Sequence, residues 1–130
     1  MKARTFARMA LASCAMFALV APASADTLGA LMKNTLTVTD SQGGVTRAWF
    51  SEGGRMTQVD PSGVGANGFW AMEGQRLCWT ARGKSRVCMP LEDGKSAGDS
   101  WEVKGPTGQV AATLAIVEGR EGEFGAEKAE

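Results

Sequence analysis

Leu77-Cys78-Trp79-Thr80-Ala81-Arg82-Gly83-Lys84-Ser85-Arg86-Val87-Cys88-Met89 is a segment organised about its middle residue. Folded at Arg82-Gly83-Lys84, it sets Ala81 against Ser85, Thr80 against Arg86, Trp79 against Val87, Cys78 against Cys88 and Leu77 against Met89. Strand alternation then gathers Leu77, Trp79, Val87 and Met89 on one face and Cys78, Thr80, Arg86 and Cys88 on the other. One register sorts apolar from polar side chains and brings both cysteines together, so the spacing predicts a β-hairpin closed by a Cys78–Cys88 disulfide. Such a bridge stabilises a small domain by about 3 kcal/mol on the chain-entropy account. Redox and metal readings are weaker: the pair is not CxxC, and two cysteines without histidine make a poor ligand set.

Outward from this hairpin the chain continues as short strands and turns. Asn34–Thr39, Val45–Phe50, Arg55–Val59, Val64–Met72, Ser100–Lys104 and Gln109–Val117 each read as strands, with clear alternation in the first and the last two. Between them stand turn sequences such as Asp60-Pro61-Ser62-Gly63 and Gly105-Pro106-Thr107-Gly108. Residues 27–33 offer at most one helical turn or an extended lead-in. No crossover helix separates the strands, so the reading is all-β: a small antiparallel meander of about eight strands. Closure into a lipocalin-like barrel, or a half-open barrel, removes exposed edges. A two-layer β-sandwich of the same strands is the alternative. The aromatic pair and Glu-Gly turn of Trp49–Gly54 recur at Phe69–Gly74, which we read as two hairpins sharing turn chemistry.

The start and end of the 130-residue chain differ from this middle. Lys2, Arg4 and Arg8 precede the apolar run Met9–Ala21, and Ala23-Ser24-Ala25 supplies small residues, the pattern of a signal peptide cleaved near Ala25. The expected destination is periplasmic or secreted. Leu11-Ala12-Ser13-Cys14 offers a lipoprotein anchor as the minor alternative. The formal charge of the whole chain is zero, with 14 basic and 14 acidic residues. Removing the leader and the acidic stretch 118–130 leaves a neutral body, so no nucleic-acid partner is expected. The expected organisation is a leader at 1–25, one β domain at 26–117 and a disordered acidic tail at 118–130, in a monomer without a transmembrane span.

The succession Asn34-Thr35-Leu36, Trp49-Phe50-Ser51-Glu52-Gly53-Gly54, Gly68-Phe69-Trp70, Glu73-Gly74-Gln75-Arg76-Leu77-Cys78-Trp79 and then Cys88 resembles the small exported, disulfide-containing β proteins of alphaproteobacteria. It departs from their pattern at Lys33, where glycine is common, and in joining Gly68-Phe69-Trp70 to Ala71-Met72-Glu73. The resemblance implies a lipocalin-like, calycin-like barrel. It transfers no site residue.

Chemistry is constrained mainly by what is missing. The chain has no histidine, which excludes His-dependent triads, HExxH zinc sites and CxxCH haem attachment. Carboxylates fall in turns and no paired set is evident, so we expect neither an enzyme nor a cofactor or metal. Trp49, Trp70, Trp79 and Trp101 are the candidate lining of a cup for a small apolar ligand, or else core plugs. Because Phe50 and Phe69 adjoin two of them, strand alternation turns these phenylalanines away from the cup. Arg76, Arg82, Lys84 and Arg86 cluster in sequence around the hairpin and are the candidate anion contacts. Two function classes follow: a ligand-binding barrel, or an interaction, structural or inhibitor-like module using loops or an outer aromatic face, with an envelope protein as partner.

Overall fold

The computed structural model describes residues 25–125. The leader, the Cys14 anchor motif and residues 126–130 lie outside the described residues, apart from Ala25. The described chain forms one helix, α1 (Ala25–Lys33), followed by eight strands. These are β1 (Thr35–Asp40), β2 (Val45–Ser51), β3 (Arg55–Val59), β4 (Gly65–Glu73), β5 (Arg76–Ala81), β6 (Val87–Pro90), β7 (Ser100–Lys104) and β8 (Val110–Val117). All pair antiparallel in the order β6-β5-β4-β3-β2-β1-β8-β7. Among the described residues, only β6 and β7 lack a second neighbouring strand. The sheet is therefore an up-and-down barrel with one unsealed seam, and the connection 91–99 crosses it.

The hairpin register is as the sequence predicts for Leu77↔Met89, Cys78↔Cys88 and Trp79↔Val87, and the cysteines are bonded. The ladder ends there. Thr80 and Arg86, and Ala81 and Ser85, are not paired, because Arg82 N–H is drawn to Asn67 O (2.7 Å) and the turn leans toward β4.

Inside the barrel, Phe50 stands edge-on to Trp79 (centroids 5.4 Å) and to Trp70 (6.3 Å). Edge-to-face pairs of this kind contribute about 1 kcal/mol each beyond area burial. Leu36, Leu114, Ile116 and Leu77 pack with them, all fully or almost fully buried. Gly68 permits the arrangement: a Cβ there would meet Thr80 O at 2.0 Å and Ala81 Cα at 2.7 Å, so only glycine lets β4 press against β5.

Three expectations need correction. Residues 25–33 form a helix of nine residues, longer than the single turn expected. Leu28, Leu31 and Met32 share one helical face and pack into the core, and this tertiary burial stabilises a helix too short to persist alone. Asn34 closes it by donating from its amide to Ala30 O (2.7 Å). Thr27 ties its start to the seam-crossing segment, donating to Glu92 O and accepting from Lys95 N–H. α1 thus stoppers one barrel end, and the four turns that follow β1, β3, β5 and β7 surround the other.

The second correction is the phase of β2. Ala48 lies opposite Leu36, and Phe50 opposite Met56, so these residues face inward. Trp49 faces outward and is nevertheless fully buried. The third difference from expectation, an ordered C-terminal segment, accounts for that burial. The disordered tail expected from Glu118 begins as an ordered strap: Thr35 Oγ1 donates to Gly119 O (2.8 Å), and Gly119 N–H donates to Asn34 Oδ1 (2.8 Å). Arg120 donates to Met32 O, Phe50 O and Ser51 Oγ and pairs with Glu123. Gly122 lies against the Arg47 guanidinium, which sits 5.6 Å from the Trp49 ring centroid. Phe124 lies on Gly65, where any Cβ would strike its ring.

Candidate functional site

The open end of the barrel holds a cavity of about 380 Å³. Its position follows from strand phase: Val38, Trp79, Ala81, Val87 and Met89 are inward residues at or near the ends of their strands, and they form its apolar wall. Thr46, Gln58 and Ser85 add polar atoms. The rim carries Asp60, Pro61 and Lys84.

Gln58 is the unusual member. It shares the inward face of β3 with Met56 and is 7% exposed. Its amide makes no hydrogen bond to another described residue, and it is not sealed in protein, because it borders the cavity. A buried amide ordinarily finds a partner, so one here without a protein partner is available to whatever enters.

Across the rim, Lys84 Nζ sits 2.9 Å from Asp60 Oδ2 and joins the β3–β4 turn to the β5–β6 turn. Asp60 Oδ1 accepts from Ser62 Oγ–H, Ser62 N–H and Val64 N–H. The Ser62 hydroxyl, then Lys84, then the Val64 amide hold the Asp60 carboxyl well below the usual carboxylate range.

The candidate tryptophans divide. Trp79 borders the cavity. Trp70 and Trp101 are built into the packing, with indole N–H donated to Ser51 O (2.8 Å) and Pro90 O (3.4 Å). Trp49 lies on the other side of the sheet and donates to Thr35 Oγ1 (2.8 Å). The four are therefore not one cup.

The basic candidates converge only in part: Arg82 and Lys84, with Arg55, border a depression on the outside of the barrel, while Arg76 and Arg86 do not. Lys84 is on the rim, Arg86 pairs with Glu73 on the outer face, and Arg76 and Arg82 are exposed. Glu73 lies within 4.8 Å of both cysteine sulfurs, but sulfurs bonded to each other supply no thiolate ligand.

Outside the barrel, a wider depression of about 1140 Å³ runs over β3, β4 and β5 past Arg55, Thr57, Asn67 and Arg82. Phe69 borders it and is 71% exposed, flanked across the strands by Arg55 and Thr80 and so not part of an apolar patch. Sequence reasoning missed Gln58, Val38, Val87 and Met89 as lining. The usable signal was the period-two partnership of Gln58 with Met56. Comparisons with protein-family models, curated proteins and solved structures find no match. Among the described residues, no helix is long and apolar enough to cross a membrane.

Proposed function

We propose that this protein is an exported, non-enzymatic barrel that binds a small molecule in its open end. The observation that carries the reading is the cavity bounded by Trp79, Val87, Met89 and Gln58, whose volume falls within the range typical of small-ligand sites. The disulfide supports export, since such bonds persist in oxidising compartments, and the leader pattern of residues 1–25 points the same way. The chemistry of the lining favours binding over catalysis. Thr46 and Ser85 have no histidine to activate them. Asp60, the lining carboxylate, is held ionised by its partners and is therefore a weak base.

The test is a titration of the oxidised protein with small apolar molecules and short glycans, following tryptophan emission. A ligand of the open end should shift or quench Trp79, and Val87→Phe, which fills the cavity, should abolish the response. Absence of response to every compound would refute the reading. An interaction module is the second reading, and the outer depression, where Phe69 stands beside Arg55, Arg82 and Lys84, is the observation that favours it. A partner captured by wild type and lost with Phe69→Ser would support that alternative.

A further inference from the structure

We propose that Gln58 determines the specificity of the open end, and that its ligand is a small uncharged molecule, mostly apolar, carrying one hydroxyl or carbonyl group that Gln58 binds. The inference rests on the binding-site reading above and names the class of ligand.

The charged residues lining the cavity are Asp60 and Lys84, and each neutralises the other at 2.9 Å. An anion would have to draw Lys84 from Asp60 and then face the released carboxylate. A cation would meet the corresponding conflict with Lys84. Neither charge is offered an uncompensated partner, so a neutral ligand fits the electrostatics.

The polarity of the lining points to the same class of ligand. Val38, Trp79, Ala81, Val87 and Met89 supply an apolar wall, against which a hydrocarbon body is favourably buried. Gln58 sits on the inward face of β3, deeper than the rim, with both donor and acceptor capacity and no protein partner among the described residues. A purely hydrocarbon ligand would displace water from that amide and leave it unsatisfied. A ligand with a single hydroxyl or carbonyl restores the lost bond. Thr46 and Ser85 border the same space but are not buried as Gln58 is, so they can keep solvent partners.

Benzyl alcohol and toluene, alike in ring and differing by one hydroxyl, provide the test. Their affinities are measured on the oxidised full chain by tryptophan fluorescence and calorimetry, for wild type, Gln58→Leu and the length-preserving Gln58→Met. The ratio of benzyl alcohol to toluene affinity should fall on the order of tenfold in the variants, the loss of one hydrogen bond to a buried group. Thermal unfolding of each variant establishes that it is folded, and either folded variant suffices. An unchanged ratio, with both probes still excluded by Val87→Phe, overturns the role of Gln58 while leaving the cavity as a binding site. If neither probe binds wild type, the ligand class and the binding-site reading both fall.

Discussion

Trp49 Nε1 donates to Thr35 Oγ1 at 2.8 Å on the outer side of the sheet, and the same hydroxyl donates onward to Gly119 O at 2.8 Å. An indole, a strand residue and the strap are thereby linked in one chain of bonds, buried at the indole and partly buried at the strap. Ending the protein at Val117 should expose Trp49. Its emission is expected to move to the red, while the interior tryptophans stay unchanged.

Arg120 holds the strap at its start. Arg120→Ala removes donors from Met32 O, Phe50 O and Ser51 Oγ together. We expect a loss of roughly 2 kcal/mol, the scale of charge-assisted hydrogen bonds at partly buried sites. Denaturant unfolding measures it. An effect within error of zero would mean the strap contributes nothing to stability.

Reduction of Cys78–Cys88 should cost about 3 kcal/mol. That corresponds to a fall of roughly 10–20 °C in melting temperature for a domain of this size. Calorimetry with and without reductant gives the comparison, with Cys78→Ala/Cys88→Ala as the control insensitive to reductant.

Gly68→Ala places a methyl against backbone atoms of Thr80 and Ala81, which cannot rotate away as a side chain can. A cost of about 3 kcal/mol is expected, the upper part of the usual overpacking range. At Gly65 the atoms nearest a new Cβ all belong to the ring of Phe124, a movable group. Gly65→Ala should cost less and should loosen the strap, detectable as faster amide exchange at residues 119–124.

Asp60 sets an acid limit. Its carboxyl titrates lower in the folded protein than in the unfolded chain, so the unfolded state takes up the proton first. The stabilisation is complete above the unfolded value of about 4 and declines as pH falls below it toward the folded value. Asp60→Asn should therefore be less stable than wild type at pH 7, with the gap narrowing in acid. Urea midpoints across that interval test the sign; a gap that widens in acid would contradict it.

How much of this could be read from residues alone depends on where the determining contact lies. The disulfide hairpin was legible because Cys78, Cys88 and the alternation between them share a local register. The phase of β2 was not. Trp49 and Phe50 are adjacent aromatics, either of which can face inward, and the choice depends on the distant strap that buries Trp49 from outside. Glu118–Gly125 resembles a solvated acidic tail by composition; the residue that ties it down is Arg120, whose partners lie about 70 and 88 positions away. The basic residues of the hairpin are divided for a similar reason, with only Arg82 and Lys84 left bordering one depression. Asp60 and Glu73, remote in sequence, claim Lys84 and Arg86.

The seam between β6 and β7 has a consequence for how these molecules meet one another. Two unpaired strand edges are a template for sheet growth between copies. Here β6 is only four residues long and ends in Pro90, which offers no N–H. Glu102 and Lys104 place exposed charge along β7. The Trp101 N–H reaches across to Pro90 O, and the disulfide pins β6 to β5. A barrel that is not fully closed thus still presents little to a neighbouring edge, and it can leave its open end accessible without inviting fibrous self-association.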